Sequence, residues 1–262
     1  MSIKSIKTGW NGISALAGND SIFPPVSGYK LWLDGKDSTV FSFSSGAVVS
    51  EWRDKSGNSY NFSQGTVANQ PTRGTDGLVD FDGSNDTLTA ASKFMDNLHN
   101  GGSNTLFFIV RLDSDVDSAI LGTNDGGSGA VGANFVRLTD SDRFYANVTH
   151  GVGGQNTVAN VTGNDTFEID TTYLITNRLD SNDATAANRS YVYFGTGAAI
   201  QNNTSTYSPS TAASNNNPAL SPVAGFSRMN GKIGEVIWYD SDLSQANRES
   251  VRDWLMRKWE LQ

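Results

Sequence analysis

Short apolar runs separated by Gly, Asn, Ser, Asp and Thr recur along the chain, the spacing that many turns between strands require. The alternation of Tyr29-Lys30-Leu31-Trp32-Leu33-Asp34 predicts a strand, and Val48-Val49-Ser50-Glu51-Trp52 predicts another. Residues 105–112 are apolar through their centre, which predicts a central strand covered on both faces. Further strands are predicted around 78–81, 119–121, 134–138, 143–148, 168–177, 190–194 and 232–239. Turns are marked by Asp54-Lys55-Ser56-Gly57-Asn58 and Asp82-Gly83-Ser84-Asn85-Asp86, where Asp and Asn engage local amides and Gly admits positive φ. The pattern predicts two packed antiparallel sheets. It changes to helical periodicity near the end. A short helix starts at Ser244 or Gln245, with Ser244 as cap, and places Val251, Trp254, Leu255 and Trp259 on a core-facing stripe, leaving Arg248, Arg252, Asp253, Lys258 and Glu260 wetter.

Residues 1–28 differ from the rest. Trp10, Ile13, Leu16, Ile22 and Phe23 are isolated apolar anchors among Gly, Asn and Ser, ahead of Pro24-Pro25. They form an N-terminal arm or attachment segment, which folds back on its own domain or docks elsewhere. Residues 29–262 form one sandwich domain, and 197–222, rich in Asn, Ser, Thr and Pro with Tyr207 as its only aromatic, is expected to be an extended surface loop.

The formal charge of -8, from 27 acidic and 19 basic side chains, offers no broad positive surface and argues against a nucleic-acid partner. The absence of cysteine excludes disulfides and thiol catalysis. No run approaches membrane-spanning length, so membrane insertion is not expected, and the segment around Lys4 and Lys7 lacks the apolar stretch of a secretory signal. A product acting outside a cell would then leave by lysis or particle release.

Several of these segments together resemble the concanavalin A-like lectin and glucanase superfamily, especially its laminin-G-like branch as found in tailed-bacteriophage structural proteins. They are Leu31-Trp32-Leu33-Asp34, Trp52-Arg53-Asp54-Lys55-Ser56-Gly57-Asn58, Val79-Asp80-Phe81-Asp82-Gly83-Ser84-Asn85-Asp86, the strand at 107–112, and 231–239 with its helix. The resemblance implies an all-β fold, a concanavalin A-like jelly-roll sandwich of two antiparallel sheets with a short C-terminal helix. It permits sugar binding through flat aromatic faces. Trp32, Trp52 and Trp238 sit in strand-like surroundings and are assigned to the core, while Tyr145 and Tyr191 are the carbohydrate-binding candidates. Some superfamily members use calcium. Asp140 and Asp142, or Asp180, Asn182 and Asp183, supply suitable oxygens but complete no calcium-loop pattern, so calcium is admitted and no cofactor is required.

Glycan hydrolysis needs two positioned carboxyl groups. Glu168 and Asp170 come nearest and read as an outward-facing strand pair; His99 and His150 stand far apart without a zinc motif. The leading expectation is a non-enzymatic tailed-phage virion protein, a capsid decoration or head fibre, assembled in the host cytoplasm. It would attach to capsid or tail proteins through the arm, with a homotrimer as one assembly that buries its edge strands. The alternatives are a carbohydrate-binding adhesion module for a host-surface glycan and, behind it, a divergent glycosidase.

Overall fold

The computed structural model describes residues 22–123, 130–138, 143–150, 159–160, 168–180, 183–201, 212–222 and 227–261. Its strands are β1 (Leu31–Asp34), β2 (Phe41–Ser45), β3 (Val48–Trp52), β4 (Phe62–Ser63), β5 (Thr72–Arg73), β6 (Val79–Asp82), β7 (Leu88–Ala90), β8 (Ser103–Leu112) and β9 (Ser118–Gly122). They continue with β10 (Val131–Leu138), β11 (Arg143–His150), β12 (Ala159–Asn160), β13 (Thr172–Asp180), β14 (Ser190–Phe194), β15 (Ile200–Gln201), β16 (Ala219–Leu220) and β17 (Asn230–Tyr239). Helix α1 (Gln245–Lys258) follows, with the Ser244 side chain accepting from the Asn247 amide as its cap.

Strand β17 organises the first layer. It pairs along one side with β8, and along the other first with β6 and then with β1. The layer extends from β8 through β13 and β14 to β15. From β6 the ladder turns through β5 into β3, which also pairs with β2 and β4, and runs on through β7, β16, β9, β10 and β11 to β12. Every ladder is antiparallel, so the two expected sheets are one hydrogen-bonded sheet curled over itself in a jelly-roll-like manner.

Two apolar clusters account for the double-sided burial of β8. Leu106, Phe108, Val110 and Leu112 face the sandwich interior with Ile175, Val236, Trp238 and Phe135. Phe107 and Ile109 face outward and meet Trp32, Leu174, Ile237 and the helix stripe of Val251, Trp254, Leu255 and Trp259. The helix is therefore a third layer, on the outer face of the β8–β17 sheet.

A bulge in β17 sets what lies under that helix. Residues 233 and 235 share a parity and would face the same way in a regular strand. The register against β8 shifts between Ile233 and Glu235, so Ile233 stays in the interior while Glu235 turns toward α1. Gly234 occupies the bulge because a Cβ there would lie 2.6 Å from the Trp259 ring. Glu235, 1% exposed, accepts at Oε1 from Trp32 Nε1 (2.7 Å) and Lys258 Nζ (2.9 Å), and at Oε2 from Trp259 Nε1 (2.6 Å). Lys258 also donates to Asp34 Oδ1 (2.7 Å), and Lys55 donates to Asp34 Oδ2 and Asp37 Oδ2, both at 2.8 Å. Burial pushes the Glu235 carboxyl above its ordinary range against the pull of Lys258. Lys258, expected on the wetter side, is instead a strut between helix and sheet.

The turns behave as read. Asp54 Oδ1 accepts from the amides of Trp32 (2.9 Å) and Ser56 (2.8 Å), and Oδ2 from the Tyr60 amide (3.0 Å) and the Ser56 hydroxyl (2.6 Å), which ties this turn to β1. Asp82 Oδ1 accepts from the amides of Ser84 and Asn85, while Asp86 Oδ2 accepts from the Asp82 amide. Two expectations are corrected. Residues 168–170 are not strand: Glu168 and Asp170 are exposed in a turn, Asp170 has φ 63°, and β13 begins at Thr172. The 197–222 segment is not all surface loop, because Ala219–Leu220 forms β16 between β7 and β9, and Leu220 enters the core.

Candidate functional site

The helix covers β8 and β17 but leaves an open flank along β14. On β13, Thr176 and Arg178 face outward; their partners across the ladder are Tyr193 and Tyr191, so both tyrosines share that outer face. The first turns of α1 form one wall with Gln245, Arg248, Glu249 and Arg252, and the small residues at 195–199 form the other. Between them lies a groove of about 350 Å³, floored by Thr176 and Tyr193.

The polar groups of this groove are held in place. Arg248 lies over the Tyr193 ring, 5.7 Å from its centre, and its Nη1 donates to the Leu243 carbonyl and faces Asp242 Oδ1 at 3.5 Å. Asp242 also grips Arg178 through Nε and Nη2, both at 2.7 Å, and Arg178 covers the Tyr191 ring at 5.0 Å. Arg252 is paired with Asp253, and Glu249 Oε1 accepts from Gln245 at 2.9 Å. The result is an aromatic floor edged by guanidinium donors, an amide, a hydroxyl and one carboxylate, the inventory that binds hydroxyl-rich ligands.

Tyr191 adjoins this groove, half-buried, with its hydroxyl donating to Asn188 Oδ1 at 2.9 Å. Tyr145 lies on β11 opposite Val136, in the other layer, so the structure does not bring the two tyrosine candidates together; nothing further is described of its side chain. Trp32, Trp52 and Trp238 are in the core, as expected. Of the calcium candidates, Asp140, Asp142 and Asn182 lie outside the described residues. Asp180 accepts from the Ser103 hydroxyl at 3.1 Å and Asp183 caps the Thr185 amide at 2.7 Å. Among the described residues no group of three or more His, Asp or Glu side chains is placed to hold a metal. His99 is buried with Nε2 2.8 Å from the Ala212 carbonyl oxygen. Of the attachment candidates, Trp10, Ile13 and Leu16 lie outside the described residues; Ile22 and Phe23 are 75% and 51% exposed, with the Phe23 ring 5.9 Å from that of Trp32. Just beyond them, Val26 and Tyr29 pack on the helix-side cluster, and Tyr239 donates to the Val26 carbonyl at 2.7 Å. Among the described residues no helix is long and apolar enough to cross a membrane.

Tyr193, Thr176, Arg248 and Arg252 were not singled out as a site from sequence. The alternation Tyr191-Val192-Tyr193 carried half the signal, since it puts both rings on one face.

No protein-family model matches the chain, and no curated protein matches it by sequence. Solved structures do. The Trypanosoma rangeli sialidase in complex with sialic acid aligns over 90% of this chain at 14% identity, with a TM-score of 0.57. The binding domain of botulinum neurotoxin DC in complex with SialylT aligns over 87% of it at 12% identity, with a TM-score of 0.55. The chain covers 34% of the sialidase chain and 52% of the neurotoxin fragment, so it spans about a third of the length of the sialidase. At these identities the likeness is one of architecture alone, that of an all-β antiparallel, jelly-roll-like fold.

Proposed function

We propose that this chain is a non-catalytic carbohydrate-binding module whose ligand occupies the groove between β14 and α1. The observation that carries the reading is the groove itself: a tyrosine floor at Tyr193 with Arg248, Arg252, Gln245 and Glu249 fixed along one wall. A sugar ring laid against such a floor buries its C–H face while its hydroxyls meet the edge donors and acceptors. The likeness to a sialidase solved with sialic acid and a neurotoxin domain solved with SialylT supports the class of ligand. Sialidase activity is a property of that longer protein. Here the groove's carboxylate, Glu249, already accepts a hydrogen bond from Gln245.

The test is a glycan array followed by calorimetry on the leading ligand. Tyr193→Ala should weaken binding about tenfold, the loss of one aromatic platform, with the unfolding midpoint little changed because the ring is half-buried. Glu168→Gln with Asp170→Asn should leave binding unchanged, and chelation by EDTA likewise. Binding insensitive to Tyr193→Ala, or no binding to any glycan, would remove the proposal.

A second reading keeps attachment to a tailed-phage particle through the arm, with Ile22 and Phe23, exposed beside the buried Pro24, as its contact residues. Cosedimentation with phage particles, abolished by removing residues 1–23, tests it.

A further inference from the structure

A row of outward-facing positions crosses the second layer. Ser63 on β4 sits opposite Thr89 on β7, Thr89 opposite Ala219 on β16, Ala219 opposite Gly122 on β9, and Gly122 opposite Asn134 on β10. The neighbouring row, Leu88, Leu220, Leu121 and Phe135, belongs to the core. The outward row is therefore no part of the sandwich interior, and its two central positions carry almost no side chain.

A trough of about 350 Å³ opens over those positions. Thr87, Thr89, Asn216, Asn217 and Arg228 line it above Gly122 and Ala219. Glycine is required at 122, because a Cβ there would collide with the Asn134 side-chain oxygen and sit 2.9 Å from Pro222 Cγ. Several polar groups around the trough are already fixed. Asn217 Nδ2 donates to the Ala90 carbonyl (2.9 Å), which leaves its amide oxygen as an acceptor, and the Thr87 hydroxyl donates to the Leu220 carbonyl (2.9 Å), which leaves its lone pairs. Arg228 Nη1 donates to the carbonyls of Asp86 (3.3 Å) and Ser221 (3.0 Å).

The character of these groups selects a ligand. Among the described residues Arg228 is the only cation lining the trough, and the nearby carboxylates of Asp82 and Asp86 offset its charge, so a phosphate or carboxylate gains little there. Among the described residues the lining contains no aromatic ring. We propose that this trough is a second binding site, for an uncharged saccharide residue held edge-on by hydrogen bonds to Thr89, Asn216, Asn217 and Arg228. It is built from β7, β9 and β16, whereas the Tyr193 groove is built from β13, β14 and α1, so the two sites are independent and together make the chain bivalent.

The experiment is an amide ¹⁵N–¹H titration of the full chain with neutral trisaccharides of glucose, mannose and N-acetylglucosamine in turn. At least one should shift the amides of Thr87, Thr89, Gly122 and Asn217 saturably. Tyr193→Ala should leave these shifts intact. Thr89→Phe fills the trough from an outward strand position that tolerates an aromatic, and should abolish them while shifts around residues 193–199 persist. Should Thr89→Phe fail to fold, the near-isosteric Thr89→Val removes only the hydroxyl and should weaken the same titration about fivefold. Absence of shifts at these amides with all three sugars, shifts unaffected by both Thr89 variants, or their loss in Tyr193→Ala would overturn the proposal. No shifts around residues 193–199 in the wild type, with the trough still titrating, would instead remove only the groove reading.

Discussion

Removing the Lys258 ammonium tests how the helix is held to the sheet. In Lys258→Met the Glu235 carboxylate keeps two indole N–H donors, from Trp32 and Trp259, but loses its direct cation, and Asp34 keeps the Lys55 ammonium and the Lys36 amide. Glu235 is 1% exposed, so water cannot replace the lost partner. Taking one member from a buried ion pair costs about 3–5 kcal/mol, a large share of the ~5–15 kcal/mol that stabilises a typical domain. At a urea dependence of about 3 kcal/mol per molar, the unfolding midpoint should fall by about 1 M or more. Tryptophan emission reports the event directly, since both indoles bonded to Glu235 lie under the helix. Glu235→Gln alone should cost less, about 1–3 kcal/mol: Lys258 stays paired with Asp34, but the neutral amide can no longer accept through both of its ends. The double variant should be more stable than the sum of the singles by about 2 kcal/mol, because the uncompensated carboxylate is gone. The pH dependence has a definite sign. Burial raises the folded pKa of Glu235, so the unfolded chain ionises first as pH rises and stability falls between the two values. In Lys258→Met the deficit should therefore shrink on acidification, as the folded carboxyl takes up a proton. A loss under about 1 kcal/mol, or strictly additive singles, would refute the view that Lys258 neutralises a buried charge.

Other outcomes follow from single contacts. Asp54→Ala strips four acceptor contacts from the turn that anchors β1 and should lower stability by about 2–3 kcal/mol in urea unfolding, with Asp54→Asn less damaging because one acceptor oxygen remains. Hydrogen bonds from Lys55 and then Thr39 hold the Asp37 carboxyl down at about 2. Its contribution, about 1–2 kcal/mol after allowance for its part exposure, is present above the unfolded value near 4 and lost as pH falls through 2. Acid titrations of wild type and Asp37→Asn should thus converge below that pH. Gly122→Ala should cost about 1–3 kcal/mol by overpacking Asn134 and Pro222, read as a lower thermal midpoint. Trp254→Ala should cost about 3–5 kcal/mol, since that ring is buried between α1 and Trp32.

Much of the architecture was legible because it is written in local periodicity. The apolar centre of β8 announced burial on both faces, and the helix stripe named the residues that supply the second face. The misreadings have a common cause. Ala219–Leu220 is only two residues long and sits among Asn and Pro, so no period distinguishes it from loop; its strand state comes from β7 and β9 on either side. Glu168 and Asp170 fell on the wrong side of a strand boundary for want of a turn signature.

The sites were harder to read than the fold for a related reason. Tyr191 was chosen and Tyr193 passed over, although one alternation places both outward, because what makes Tyr193 a floor is the approach of Arg248 from a helix more than fifty positions away. Glu235 looks like a solvent-side strand residue until the bulge at Gly234 turns it under Trp259, a displacement that single-strand periodicity cannot encode. The same bulge links fold to proposed function. By giving Lys258 a carboxylate to bind beneath the C-terminal end of α1, it fixes the seat of the helix on the sheet, and that seat sets where Arg248, Glu249 and Arg252 stand over β14. Loosening the Lys258–Glu235 strut should therefore weaken binding in the Tyr193 groove without touching it, while the trough across β7, β16 and β9, which borrows nothing from α1, should keep its affinity.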